Sequence, residues 1–360
     1  MSSIIAYAGL RAKLAAMASR FLTKDDYAAL MSKSSVPEIT AYLQQTKMYS
    51  RPLKDVNADE LHRRDLETLL KKDLVEDVRK IFTFFVTVDR VFSLYILRMY
   101  EVENLKLALR NALVEKEFRK NIEELKNKFY DLGTRALIDP VKVASATTRE
   151  EILNALEKTP YHEVIRNAFE SYKGEAPNLI GSIENGLDRW WFFGILKSAQ
   201  DLDYDDFFTV KEIMGERADL TNIEWILRAK AFYSLSDEEL YNSLIPIGFK
   251  MEKDDYHRLC GARSFDEALG FLSEGTYKEL FKPLYEEHGT TPEMATHEMR
   301  KHLYRKYKSA VSVMGGFSIA PFFHYLFLKE YEIMDIVTII EGVRYDIDAK
   351  EIAKHLIASF

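Results

Sequence analysis

Residues 102–110 read VENLKLALR, and variants of this stretch return as LTNIEWILR at 220–228 and as IMDIVTIIE at 333–341. In each copy the apolar residues recur at every third or fourth position, which places them on one stripe of an α-helix. We expect the polar residues of each copy to point away from that stripe. The sequence therefore predicts one helix that is written three times.

A second, shorter element precedes each of these helices: PEITAYL at 37–43, EEILNAL at 150–156 and DEALGFL at 266–272. A tyrosine follows each short element, at Tyr49, Tyr161 and Tyr277. An apolar stripe alone recurs by chance in any helical protein. Two elements in the same order and at similar spacing indicate an internal repeat instead.

The repeat predicts an all-α fold of three pseudo-symmetric helical repeats, at 1–120, 121–236 and 237–360. The small number of helix breakers, 9 Pro and 15 Gly in 360 residues, agrees with a helical chain. Two helix boundaries are also predicted. Residues 221–224, TNIE, have the pattern of a capping box, and Pro321 suits the first turn of a long helix that runs toward Arg344.

The composition argues against several classes of protein. A net charge of -7 disfavours nucleic-acid binding, which normally requires a basic surface. Cys260 is the one cysteine, so neither an internal disulfide nor a thiolate-rich metal site is expected, and a reducing, cytoplasmic location is predicted. No apolar run reaches the roughly 20 residues that a membrane-spanning helix needs.

Three motifs resemble catalytic or metal sites but depart from the required pattern. HEMRKH at 297–302 spaces its histidines five residues apart instead of four, and GFSIA at 316–320 has no strand before its serine. Residues 201–212 have the acidic spacing of a calcium loop, but Asp206 replaces the glycine of its sharp turn. An acidic turn between helices is the favoured interpretation, and calcium binding is left open. We expect no catalytic residue, cofactor, metal or small-molecule substrate.

The repeat and three of its stretches resemble the C-type subunit of the archaeal and bacterial V-type and A-type ATPases, whose eukaryotic equivalent is the d-type subunit. The stretches are Tyr7 with LRAKL at 10–14, ENLKLALR at 103–110, and residues 335–345. The resemblance covers nearly the whole chain. The middle copy departs most, with Gly215 and Ala218 where the outer copies have leucine and tyrosine.

The resemblance implies a funnel of three helical units and a non-catalytic rotor subunit at the cytoplasmic face of the membrane. Such a rotor part couples the central-shaft subunits, of the D and F type, to the membrane proteolipid ring. It serves proton or sodium transport, and the sequence does not distinguish the ion or the direction of ATP turnover. The alternative function is a helical-repeat adaptor that binds a protein partner outside any rotary ATPase.

Six polar residues on the three long helices are the candidate partner interface: Asn104, Arg110, Asn222, Arg228, Asp335 and Arg344. They could line a cavity and form charge-assisted contacts with a partner, or they could simply be solvated. The three arginines lie near the end of each helix, and the hypothesis is that they help to hold the shaft.

Overall fold

The computed structural model describes residues 3–85, 87–171, 176–233, 235–313 and 318–358, and these residues form helices without a β-strand. The predicted all-α class is confirmed. The described residues contain the following α-helices: α1 (Ser3–Ala18), α2 (Lys24–Met31), α3 (Val36–Leu43), α4 (Arg63–Phe82), α5 (Thr87–Leu113), α6 (Ile122–Lys126), α7 (Pro140–Ala144), α8 (Arg149–Leu156), α9 (Tyr161–Ser171), α10 (Ala176–Ala199), α11 (Tyr204–Phe232), α12 (Asp237–Ser243), α13 (Lys253–Cys260), α14 (Phe265–Glu274), α15 (Lys278–Glu286), α16 (Pro292–Val313), α17 (Ala320–Arg344) and α18 (Ala349–Lys354).

The chain divides into two compact units. Unit 1 combines Met1–Val86 with Glu293–Phe360, and unit 2 is the continuous segment Thr87–Pro292. In unit 1, α17 packs against α1, α2, α3, α4 and α18. In unit 2, α10 packs against α5, α9 and α11, while α11 also packs against α14. The division into three repeats and their arrangement as a funnel stay predictions.

The short repeated element is a capped helix in each copy: α3, α8 and α14. The N-cap residues Ser35, Thr148 and Ser264 each accept a hydrogen bond from the backbone N–H of the glutamate three residues later. These glutamates reach back to the backbone N–H that precedes the cap, at 3.0, 2.6 and 2.7 Å. The shared residues are therefore capping groups, which satisfy N–H donors that a helix start leaves unpaired.

The two predicted helix boundaries have different outcomes. Pro321 lies in the first turn of α17, which ends at Arg344, so this prediction is confirmed. The capping box at 221–224 is wrong, because these residues lie inside α11. Thr221 donates its hydroxyl to the carbonyl of Arg217 one turn earlier, as a mid-helix threonine commonly does.

The unusual glycine of the middle repeat has a packing role. A Cβ atom at Gly215 would lie 2.7 Å from the Cβ of Phe249, which is closer than two carbon atoms can pack. Phe249 therefore occupies the space beside α11 that a larger side chain at position 215 would need. The absence of a side chain at Gly215 therefore makes room for Phe249.

Candidate functional site

Each long helix carries three buried polar side chains that are spaced three residues apart, which we call a polar row. The rows are Arg98, Glu101 and Asn104 on α5; Glu216, Asp219 and Asn222 on α11; and Lys329, Glu332 and Asp335 on α17. Each of these residues is less than a tenth exposed. Burial of a polar group is costly unless it is hydrogen-bonded, so the partners of each row determine what it can do.

The first polar row is centred on Glu101. Its carboxylate accepts hydrogen bonds from Arg98 at 2.6 Å and from the hydroxyl of Tyr161 at 2.7 Å. It also accepts the backbone N–H groups of Leu137 and Ile138. Glu101 thus joins α5 to α9 and to the segment that precedes α7.

The second polar row is centred on Asp219, which accepts hydrogen bonds from two tyrosine hydroxyls. Tyr256 and Tyr277 donate to it at 2.8 and 2.9 Å. The backbone N–H groups of residues 249–251 donate to the same carboxylate at 3.1, 2.8 and 3.2 Å. Beside it, Glu216 pairs with Lys250 at 2.9 Å.

The third polar row is centred on Glu332, whose partners lie near the opposite end of the sequence. The hydroxyl of Tyr49 and the backbone N–H of Leu22 each donate to its carboxylate at 2.7 Å. Lys329, which is fully buried, contacts both Asp73 and Asp77 on α4. The row on α17 therefore connects this helix to α4 and to two segments of the amino-terminal part of unit 1.

The third position of each row fixes a backbone segment. Asn104 donates to the carbonyl of Tyr130 at 2.9 Å and accepts its N–H at 2.8 Å. Asn222 makes the same pair of bonds with Ile245, at 3.0 and 2.8 Å. Asp335 instead accepts two N–H groups, from residues 357 and 358, at 2.7 and 2.9 Å. A carboxylate is suited to that position because it accepts both bonds and offers no donor.

Burial changes the titration of several of these groups. Loss of solvent raises the pKa of Glu332 to about 7, against the opposing effect of its bonds to Tyr49 and Leu22. Burial likewise raises the pKa of Asp335 to about 6, and it raises the pKa of Asp219. The pKa of Tyr49 lies well above its usual value, because burial and the adjacent Glu332 both disfavour the phenolate. Tyr49 therefore acts as a hydrogen-bond donor.

The six predicted interface residues separate into two groups. Asn104, Asn222 and Asp335 are buried, at 3%, 0% and 0% exposure, and bind backbone groups of their own unit. This corrects the expectation that they point outward, and in this conformation they cannot touch a partner chain directly. Any role at an interface stays a prediction.

The three arginines are exposed. Arg110 forms a two-pronged ion pair with Glu184, one bond of which is 2.8 Å long. Arg344 donates to Glu341 at 2.8 Å. The guanidinium group of Arg228 has no hydrogen bond or ion pair within the described ranges. Their role in holding a partner stays a prediction.

The central acids of the rows were missed at the sequence level, although a signal for them was present. Glu101 recurs as Glu332, and the tyrosines that follow the three short elements are the residues that donate to the three acids. A repeated tyrosine and a repeated acid far apart in sequence indicate a recurring pair within the repeat. The position three residues before each central acid was also missed, because its residue type differs between copies. It is occupied by Arg98, Glu216 and Lys329.

The motifs that resembled catalytic or metal sites do not assemble one in the described residues. No group of three or more His, Cys, Asp and Glu side chains in those ranges is placed to hold a metal ion. Residues 204–212 of the acidic motif are helical, so the turn of a calcium loop is not formed there. His297 and His302 lie on α16, and residues 316–317 of GFSIA fall outside the described ranges. None of the helices described has the length and hydrophobicity to cross a membrane.

Known proteins are similar to this chain across nearly its full length. The ATP synthase (C/AC39) subunit family matches residues 10–355. The C-type subunit of the A-type ATP synthase of Methanocaldococcus jannaschii is 23% identical and is aligned over 98% of this chain and 86% of its own length. The proteins of the same name from Methanococcoides burtonii and Desulfurococcus sp. are 23% and 25% identical. They align over 98% and 96% of this chain, and over 94% and 89% of their own lengths.

The family match spans almost the whole chain, and so do the alignments with these relatives. The chain belongs to the ATP synthase (C/AC39) subunit family and is an accessory, non-catalytic subunit of an A/V-type ATPase.

Proposed function

We propose that this protein is the rotor subunit that couples the central shaft of the ATPase to the membrane proteolipid ring. The shaft partners would be the D-type and F-type subunits, and the chain would lie on the cytoplasmic face of the membrane. In this role it would transmit rotation for proton or sodium transport.

The observation that carries the proposal is the polar row on each long helix. Each central acid binds a tyrosine hydroxyl and at least one backbone N–H from another segment of the same unit. Such satisfied networks hold helices in one arrangement, because any displacement would leave a buried charge unpaired. Stiffness of this kind is what a rotor part that transmits torque requires. The family match favours it over an adaptor outside the ATPase.

The exposed arginines at the ends of the long helices are the proposed contacts with the shaft. Arg228 is the strongest of the three, because its guanidinium has no partner within the described ranges and can bind a carboxylate of another chain in two-pronged geometry. Arg110 and Arg344 would exchange a surface ion pair, which contributes little in solvent, for a contact in the complex.

A pull-down with purified shaft subunits tests the proposal. The triple variant Arg110→Ala, Arg228→Ala and Arg344→Ala should bind at least about tenfold more weakly than the wild type at moderate salt. The control Arg64→Ala, Arg263→Ala and Arg305→Ala removes three exposed arginines from other sites and changes the net charge equally. Equal binding by the two triple variants would refute the arginine contacts, and failure of the wild type to bind the shaft subunits would refute the rotor role.

A further inference from the structure

The end of the α10–α11 hairpin exposes a group of aromatic side chains. Residues 200–203 connect these two packed helices, and we call residue 193 together with residues 201–208 the hairpin tip. Phe193 is 58% exposed, Tyr204 is 75% exposed and Phe208 is 45% exposed. Tyr204 and Phe208, whose rings contact each other, leave on the order of 250 Å² of adjoining aromatic surface in solvent, and Phe193 exposes a further ring on α10.

This aromatic surface is held in place by the fold. The rings of Tyr204 and Phe208 lie one turn apart on α11 with their centroids 4.5 Å apart. Leu202 and Asp206, which lie on either side of the exposed residues 203–205, are 8% and 3% exposed and anchor the turn and the start of the helix. The aromatic side chains are therefore presented on an ordered support and would lose little conformational entropy on binding.

The exposed charged side chains of the hairpin tip are all aspartates. Asp201, Asp203 and Asp205 are exposed, and none of them has an ion-pair partner within the described ranges. Asp203 occupies the N-cap position of α11, yet its side chain makes no capping hydrogen bond. A residue that usually binds its own helix start is here left available to another molecule.

We propose that the hairpin tip is a docking surface for a basic segment of another subunit of the ATPase. The aromatic rings would contact apolar side chains or the stems of Lys and Arg, and the three aspartates would pair with the cationic groups. The proposal requires only that the chain works in an assembled ATPase, and it does not depend on the rotor role or on the arginine contacts.

The charges argue against two other occupants. The surface of a membrane that contains anionic lipids would repel three aspartates. A second copy of this chain, packed tip to tip about a twofold axis, would oppose like charges. A basic protein surface is the occupant that satisfies both the aromatic and the acidic side chains.

Site-specific cross-linking in the assembled complex tests this proposal. Tyr204 is replaced by the photoreactive p-benzoylphenylalanine, which preserves an aromatic ring, and the complex is purified from cells that express all of its subunits. The control carries the same group at Phe118, which is also exposed, at 69%. Its neighbours Arg119 and Lys120 are basic, whereas those of Tyr204 are acidic. Mass spectrometry identifies the segment attached to each position.

The expected product from position 204 is a cross-link to another subunit, in a segment rich in Lys or Arg. Its yield should fall about tenfold when Asp201, Asp203 and Asp205 are all changed to Asn, because each exposed charge pair contributes about 0.5 kcal/mol. A yield at the level of the control, a product with lipid or with a second copy, an acidic target segment, or a yield unaffected by the Asn changes would each overturn the proposal.

Discussion

Replacement of Glu332 by Gln should change how the stability of unit 1 depends on pH. Glu332 is 5% exposed, and its burial raises its pKa from 4.5 to about 7. The native state therefore holds this proton more tightly than the unfolded chain does. The resulting stability is fully present below about pH 4.5 and is lost as the pH rises through about 7.

The size of the effect follows from the shift. A difference of this size, at about 1.4 kcal/mol for each pKa unit, corresponds to about 3 kcal/mol. Asp335, whose pKa is raised to about 6, acts with the same sign and is present in both proteins. Glutamine is close in shape to the protonated acid and does not titrate, so Glu332→Gln should remove about 3 kcal/mol from the decline in unfolding free energy between pH 4.5 and pH 8.

The measurement is urea unfolding, followed by far-ultraviolet circular dichroism at several pH values for the wild type and for Glu332→Gln. Glu274→Gln, at an exposed position, controls for the loss of one carboxylate. Parallel pH profiles for the wild type and Glu332→Gln would refute the reasoning. A wild type that gains stability relative to the variant as the pH rises would refute it as well.

Two further predictions concern the packing of the long helices. The variants Tyr49→Phe, Tyr161→Phe and Tyr277→Phe each remove one hydroxyl that binds a buried acid. Each should lower the melting temperature and reduce the free energy of unfolding by about 1–3 kcal/mol. A reduction below about 0.5 kcal/mol in all three variants would contradict the role given to the polar rows. Gly215→Ala should destabilise unit 2 by about 1–3 kcal/mol in urea unfolding, because its Cβ would meet Phe249. Gly181→Ala, where a Cβ atom would contact nothing, should be neutral or stabilising, and equal effects of the two changes would refute the steric argument.

The sequence predicted the helical class and the repeated elements because both depend on local patterns. Capping residues and apolar stripes lie within a few positions of one another, so a single stretch such as 150–156 contains enough information. The exposure of Asn104 and Asn222 was predicted incorrectly, because a helical period assigns polar residues to solvent by default. Their burial depends on backbone segments more than 20 residues away, which no local pattern shows.

The polar row on α17 could not be predicted from local patterns either, because its partners are even farther away in sequence. Glu332 binds Leu22 and Tyr49, which are separated from it by 310 and 283 residues. The repeat alone could have shown this pairing, because the acid of each copy binds the tyrosine of the following copy and the last acid returns to the first. At the tip of the α10–α11 hairpin, the sequence showed an acidic run. The structure added that the aromatic residues beside this run are exposed.

The assembly of unit 1 from both ends of the chain sets an order of events on the ribosome. Thr87–Pro292 is continuous, so unit 2 can fold while synthesis is still under way. The amino-terminal helices cannot pair with Glu332 and Lys329 until α17 has been synthesised. Until then, Asp73 and Asp77 lack the buried ammonium group of Lys329 that pairs with them in the folded protein. The nascent amino-terminal segment thus lacks its packing partner until synthesis of the chain is nearly complete.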